Sequence, residues 1–112
     1  MNPSRSSAVA RVERACARLA VRLERQRATA ARRARVRALA PLVRHLKRAK
    51  CPAIAGAVAA AAEDGGARFV RVNGHARVAR LIAALGRRAP VFTEAERCAV
   101  WAFRALVSGS VN

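Results

Sequence analysis

The stretch ARVERACARLAVRLERQRATAARRARVRAL, residues 10–39, decides the fold class. Between Ala8 and Leu39 there is no Gly and no Pro, and Ala, Arg and Leu dominate, all strong helix formers. Ser7 stands where an N-cap hydroxyl is wanted. One continuous helix over this stretch would be about 48 Å long at about 1.5 Å per residue.

The first half has two faces. Val9, Val12, Cys16, Leu19 and Leu23 alternate in steps of three and four residues, which makes an apolar seam of coiled-coil type. Arg11, Arg14, Arg18, Arg22 and Arg25 form a second stripe, centred about 130° away around the helix. Glu13 and Glu24 lie on the far flank of the seam, away from the arginines. One side can therefore pack while another presents guanidinium groups to an anion. The seam asks for a partner, either the rest of the chain or a second copy, and its heptad spacing favours the second copy.

The second half reads differently. Continued from Leu23, the seam runs through Gln26, Ala30, Arg33 and Arg37, which cannot make a dry interface. Arg32, Arg33, Arg35 and Arg37 point in several directions, as suits a helix surrounded by phosphate or a segment that orders on binding. Without a polyanion, self-repulsion should fray this part.

Outward from the arm, the charge balance sets the class of partner. The chain has 112 residues, 23 basic against 6 acidic, for a net charge of +17. High Ala and Arg with only two Lys and no Tyr fits a GC-rich coding bias, but that bias does not remove Asp and Glu. The imbalance reads as a polyanion partner. Fifteen of the basic residues lie in positions 1–50, opposed by Glu13 and Glu24 alone. The chain therefore divides near Pro52 into a disordered leader (1–7), a basic helical arm (8–50), a folded part (53–107) and a tail (108–112). Much of the apolar content is Ala, so a small core of Leu, Val, Ile, Phe and Trp must carry stability.

Pro41 kinks the arm or starts a new helix. Beyond it, Leu42, Val43 and Leu46 oppose Arg44, Lys47, Arg48 and Lys50 as a shorter basic amphipathic helix, which Cys51-Pro52 ends. Ala53–Glu63 reads as a small-residue helix anchored by Ile54 and Val58 and closed by Gly65-Gly66. Arg68–Val72 is β-prone, and Asn73-Gly74 would pair it with His75–Val78 as a hairpin. Against that, Val78, Leu81, Ile82 and Leu85 keep helical spacing, so a helix capped by Asn73 and closed at Gly86 is preferred. Thr93 and Glu96 form a capping box for a last helix, apolar nearly all round from Cys98 to Val107, as expected of the centre of a bundle. Trp101 and Phe103 point to different sides of it, and Trp101 joins the seam as an oligomer-interface candidate. The expected architecture is all-α: a long basic helix, kinked near Pro41, and a small three-helix bundle.

Chemistry finds no foothold. Three widely spaced cysteines, Cys16, Cys51 and Cys98, with no CxxC, suit half-buried thiols in a reducing compartment better than disulfides or zinc. His45 reads as one more polar group on the basic face, and His75 as a first-turn residue. A Cys–His dyad, a phosphate loop and paired carboxylates lack support, so no catalytic residue, metal or cofactor is assigned. The apolar run Ala53–Ala62 is too short for a bilayer. The Arg- and Ser-containing N-terminus resembles an organelle import signal, but the basic pattern runs past a usual cleavage point. A cytoplasmic, nucleoid or nuclear setting fits otherwise.

The functional expectation is non-enzymatic binding of structured nucleic acid through Arg11, Arg14, Arg18, Arg22, Arg25, Arg32, Arg33, Arg35, Arg37, Arg44, Lys47, Arg48 and Lys50. The arm contains no aromatic residue, which disfavours single-strand stacking and favours phosphate contacts on folded or duplex nucleic acid. Phe69, between Arg68 and Arg71, reads as core. The arginine-rich segment favours RNA over DNA. A helix-turn-helix over His75–Val107 would lead into the groove with Glu94 and Glu96, which argues against it. Fitting contexts are a ribonucleoprotein component, a viral RNA-binding or silencing-suppressing protein, or a packaging protein. The rival reading is an assembly protein docking on acidic protein surfaces, and the third a peripheral binder of anionic membranes.

Overall fold

The computed structural model describes residues 3–109. Among these residues every regular element is helical: α1 Pro3–Arg48, α2 Pro52–Asp64, α3 Gly66–Asn73, α4 His75–Arg88 and α5 Glu94–Ser108, with a 3-10 turn at Ala89–Val91 between α4 and α5. The all-α expectation holds. Four helices follow α1 rather than three, because the β-prone run around Phe69 is itself a helix. Two compact units divide the chain, one ending at Ala31 and the other beginning at Arg32.

The first unit is the N-terminal part of α1. Helix begins at Pro3, not after Ser7, so residues 3–7 are not a disordered leader; Met1 and Asn2 lie outside the described residues. Proline at the first helical position loses no hydrogen bond, since that N–H has no intrahelical acceptor. Ser7 is therefore an interior residue and caps nothing.

The second unit holds the core. The last part of α1 supplies Leu39, Leu42 and Leu46; α2 supplies Ala55, Val58 and Ala61; α3 supplies Phe69 and Val70; α4 supplies Val78 and Leu85; α5 supplies Ala99, Phe103 and Val107. Phe69 and Phe103 meet edge to face with ring centroids 6.0 Å apart. The division by charge near Pro52 and the division by packing after Ala31 thus differ. Residues 32–48 are charged like the arm, yet their leucines belong to the core.

α1 also passes Pro41 without ending. The proline removes one hydrogen bond to the carbonyl of Arg37. Leu39, Leu42 and Leu46, on both sides of it, are buried to within 1%, and their packing holds the helical path. α1 ends instead at Arg48, where Lys50 adopts φ 59°. The N–H of Lys50 then donates to the Lys47 carbonyl at 3.2 Å and that of Cys51 to the Leu46 carbonyl at 2.9 Å, a Schellman closure.

α2, α3 and α4 are joined by single glycines. Gly65 has φ 84° and ψ 159°, and Gly74 φ 82° and ψ 155°, a region open to glycine only. Each glycine serves two helices. The Gly65 N–H donates to Ala61 at 2.9 Å and its carbonyl accepts from Phe69 at 3.1 Å; Gly74 does the same with Val70 at 2.8 Å and Val78 at 3.1 Å. This is why Asn73-Gly74 makes neither a hairpin nor an Asn cap. Asn73 is the last residue of α3, and its side-chain amide donates to the Phe69 carbonyl at 2.9 Å. Gly86 lies inside α4, which runs on to Arg88.

The capping box at α5 forms as expected. Thr93 N–H donates to Glu96 Oε1 at 2.8 Å and Glu96 N–H to Thr93 Oγ1 at 3.2 Å. Only one face of α5 is buried, through Glu96, Ala99, Phe103 and Val107. It is therefore not an enclosed central helix, and Trp101 remains 66% exposed.

Glu96 does more than cap. It is 5% exposed, with His45 Nδ1 3.1 Å from Oε1 and Arg48 donating to Oε2 at 3.4 Å. The His45 ring stands edge-on to Phe92 at 4.8 Å. His45 is thus a partner of a buried carboxylate, not a loose group on the basic face. The Thr93 N–H, followed by His45, holds the Glu96 carboxyl below the ordinary glutamate range, against the opposing effect of desolvation.

Two predictions follow from these joints. Gly74→Ala should destabilise by about 1–3 kcal/mol through backbone strain alone, since nothing lies within 4 Å of the added Cβ. Gly56→Ala, inside α2 and equally open, should stabilise by up to about 1 kcal/mol. Urea unfolding of the two variants checks the opposite signs. Secondly, a carboxyl whose folded pKa lies below its unfolded value contributes stability that is full above the unfolded value and lost as pH falls through the folded one. The melting temperature should therefore drop on acidification below about the ordinary glutamate value of 4.5. Glu96→Gln should melt lower than the parent chain at neutral pH and show a shallower acid loss.

Candidate nucleic-acid interface

Arg11, Arg14, Arg18, Arg22 and Arg25 are all exposed on the first unit. α1 places them because Ala and Leu keep the segment helical and their spacing keeps them on one side. Ion pairs among the described residues are Arg32–Glu63, His45–Glu96 and Arg48–Glu96, so none of the five is neutralised by a carboxylate. Arg27, absent from the expected set, is exposed as well, on the flank of the apolar seam rather than on the arginine side. An unpaired guanidinium keeps its planar fork free for phosphate oxygens.

The seam residues of the same unit are open too. Val9, Val12, Leu19 and Leu23 are 53%, 62%, 53% and 43% exposed, and Cys16 is exposed. The expectation of half-buried thiols thus fails for Cys16 and for Cys98, which is also exposed, and holds for Cys51.

In the second unit the expected cations separate into two kinds. Arg33, Arg37, Arg44, Lys47 and Lys50 are exposed and, among the described residues, in no ion pair. Arg32, Arg35 and Arg48 have structural work. Arg32 grips Glu63 with two hydrogen bonds, at 2.6 and 3.2 Å. That contact lowers the Glu63 pKa and raises that of Arg32. Arg35 donates to the Ala62 carbonyl at 2.9 Å and the Glu63 carbonyl at 3.3 Å, closing the C-terminus of α2, where carbonyls lack intrahelical donors. Arg48 reaches Glu96. The picture of Arg32–Arg37 as a segment frayed by self-repulsion is therefore corrected: two of its four arginines tie it to α2, and it is helical throughout.

A second basic surface went unnoticed in the sequence. Arg68 and Arg71 on α3 and Arg77, Arg80 and Arg87 on α4 are exposed, with Arg88 half-buried. No acidic residue occurs between Asp64 and Glu94. Arg77, Arg80, Arg87 and Arg88 fall within about 100° of one another around α4, opposite Val78 and Leu85. That spacing was available as a signal, but attention to the apolar period of α4 hid the basic one.

Phe69, Phe92 and Phe103 are buried at 2%, 3% and 0% exposure, as expected of core rings. Trp101 is covered on one face by Arg104, whose guanidinium carbon lies 4.7 Å from the ring centroid. Among the described residues, no three His, Cys, Asp or Glu side chains gather into a metal-binding group. No helix among them is long and apolar enough to cross a membrane. The chain matches no known protein family, no curated protein and no solved structure.

Proposed function

We propose that this chain binds structured nucleic acid without catalysing a reaction, by arginine contacts to phosphate along the first part of α1. One observation carries the reading: Arg11, Arg14, Arg18, Arg22 and Arg25 share one side of a helix, exposed and, among the described residues, without carboxylate partners. A solvated helix face ordinarily mixes signs, and this one does not. Arg33, Arg37, Arg44, Lys47 and Lys50 supply further cations, and the α3–α4 arginines extend the basic surface of the second unit.

The contacts would be to phosphates rather than to base edges, so affinity would exceed sequence discrimination. The preference for RNA drew on Arg32–Arg37. With Arg32 and Arg35 engaged on α2, that preference rests on Arg33 and Arg37, and RNA remains the first ligand to try. A ribonucleoprotein or genome-packaging setting suits such a protein, alone or as part of an oligomer.

The test is equilibrium binding to a hairpin RNA and a duplex DNA across a salt series. Neutralising about 6–10 phosphates should cost about 10³–10⁵ in affinity between about 50 and 200 mM salt. Replacing Arg11, Arg14, Arg18, Arg22 and Arg25 together by Gln, also a good helix former, should flatten the log–log slope by about 4 to 5. Binding that ignores salt, or a quintuple variant that binds like the parent, overturns the proposal.

A further inference from the structure

The seam on α1 is an exposed apolar surface, and its heptad pattern specifies a partner. Val9, Val12, Cys16, Leu19 and Leu23 line one side of a helix and are all exposed. We infer that this seam pairs with the same seam of a second copy, and that the two helices run antiparallel.

The argument is one of register. In heptad terms Val9, Cys16 and Leu23 take the a positions, Val12, Leu19 and Gln26 the d positions, Glu13, Ala20 and Arg27 the e positions, and Ala8, Ala15 and Arg22 the g positions. A parallel pair sets each g residue beside the partner's next e residue. That places Arg22 against the partner's Arg27, and by symmetry does so twice. Like charges held together along an interface destabilise it. A parallel pair also aligns two segments that each carry seven arginines and two glutamates in residues 1–31, with the macrodipoles side by side in the same direction.

Antiparallel pairing removes the Arg22–Arg27 conflict and opposes the macrodipoles, while the summed charge of the two segments is the same in either direction. In the register that sets Cys16 against the partner's Leu19, Val12 meets the partner's Leu23 and Val9 the partner's Gln26. Both inner layers then match a smaller side chain with a larger one, which lets the layers interdigitate. The flanks become Glu13 beside the partner's Ala20 and Ala15 beside the partner's Arg22, so no two like charges face each other. Sliding one heptad in one direction opposes Glu13 to the partner's Glu13; in the other it sets Glu13 beside the partner's Arg27 but opposes Arg22 to the partner's Arg22 and brings Gln26 into an inner layer against the partner's Cys16. One register therefore stands out, and it is two-fold symmetric, the closed arrangement commonest among homo-oligomers.

This inference does not depend on nucleic-acid binding, and its test uses none. The mass of the full chain is measured by light scattering at raised salt, which screens repulsion between copies. The expected mass is twice that of one chain, falling to that of one chain in Leu19→Glu. Direction is read by cysteine cross-linking in full-length chains carrying Cys16→Ser, Cys51→Ser and Cys98→Ser. One such chain also carries Val12→Cys and another Leu23→Cys. Mixed and oxidised, the two should form a linked heterodimer, while neither links to itself, because a disulfide needs Cα atoms within about 7 Å. A chain retaining only Cys16 should likewise stay unlinked. Circular dichroism confirms that each variant keeps its helices. A single-chain mass for the parent overturns the proposal. So does a Cys16-to-Cys16 link in place of the mixed one, and so does a dimer that survives Leu19→Glu but dissociates in Trp101→Ala.

Discussion

Carboxylates are the scarce component of this chain, 6 against 23 basic residues, and where two of them sit governs how the second unit is assembled. Glu63 takes Arg32, and the carbonyls beside it take Arg35. Glu96 takes His45 and Arg48. These contacts bracket Pro41, one pair before it and one after. Together with Leu39, Leu42 and Leu46 they fix the helix across a residue that would otherwise interrupt it. An exposed pair such as Arg32–Glu63 adds little stability by itself. It helps to position the end of α2, where Arg35 supplies the donors that the Ala62 and Glu63 carbonyls would otherwise lack.

The core tolerates this economy because the backbone is nearly all helix with minimal connections. α3 has eight residues, too few to persist alone in water. It is held because Gly65 and Gly74 each hydrogen-bond into the helices on both sides, and because Phe69 and Val70 are buried. The alanines of α2 bury little area per residue, but they let helices approach closely. Phe69, Phe103 and the α1 leucines fill what remains. Because each apolar face is narrow, the arginines of α3 and α4 are left outside, and the basic character of the chain reaches the second unit as well as the arm.

Much of the fold could be read from sequence, and the misses share a cause. The helix over residues 10–39, the Thr93–Glu96 capping box, the end of α2 at Gly65 and the burial of Phe69 each rest on local chemistry, and each appears in the structure. A new helix starting at Pro41 and the reading of Phe69–Asn73 fail where tertiary contacts override local preference. Asn-Gly is a hairpin signal only between strands, and here a glycine-only conformation links two helices instead. The structural roles of Arg32, Arg35, Arg48 and His45 could not be read, since their partners lie 27 to 51 residues away in sequence. The stripe from Arg11 to Arg25 needed only helical geometry, which is why it survives intact.

The two stripes of the first unit pull against each other in a way that separates the readings built on them. Bringing two such segments together concentrates positive charge, so self-pairing without a counter-charge is opposed by repulsion that salt relieves. Phosphate binding of the kind proposed would respond in the opposite sense, because salt competes for the phosphates. A polyanion lying along the arginines would do for pairing what salt does, and more locally. By linkage, whatever strengthens pairing when phosphate is bound must strengthen phosphate binding in the pair by the same factor. The stripes lie about 130° apart, far enough that burying the seam leaves Arg11, Arg14, Arg18 and Arg25 open. The two proposed roles would therefore not exclude each other sterically, and the coupling between them would be favourable in sign.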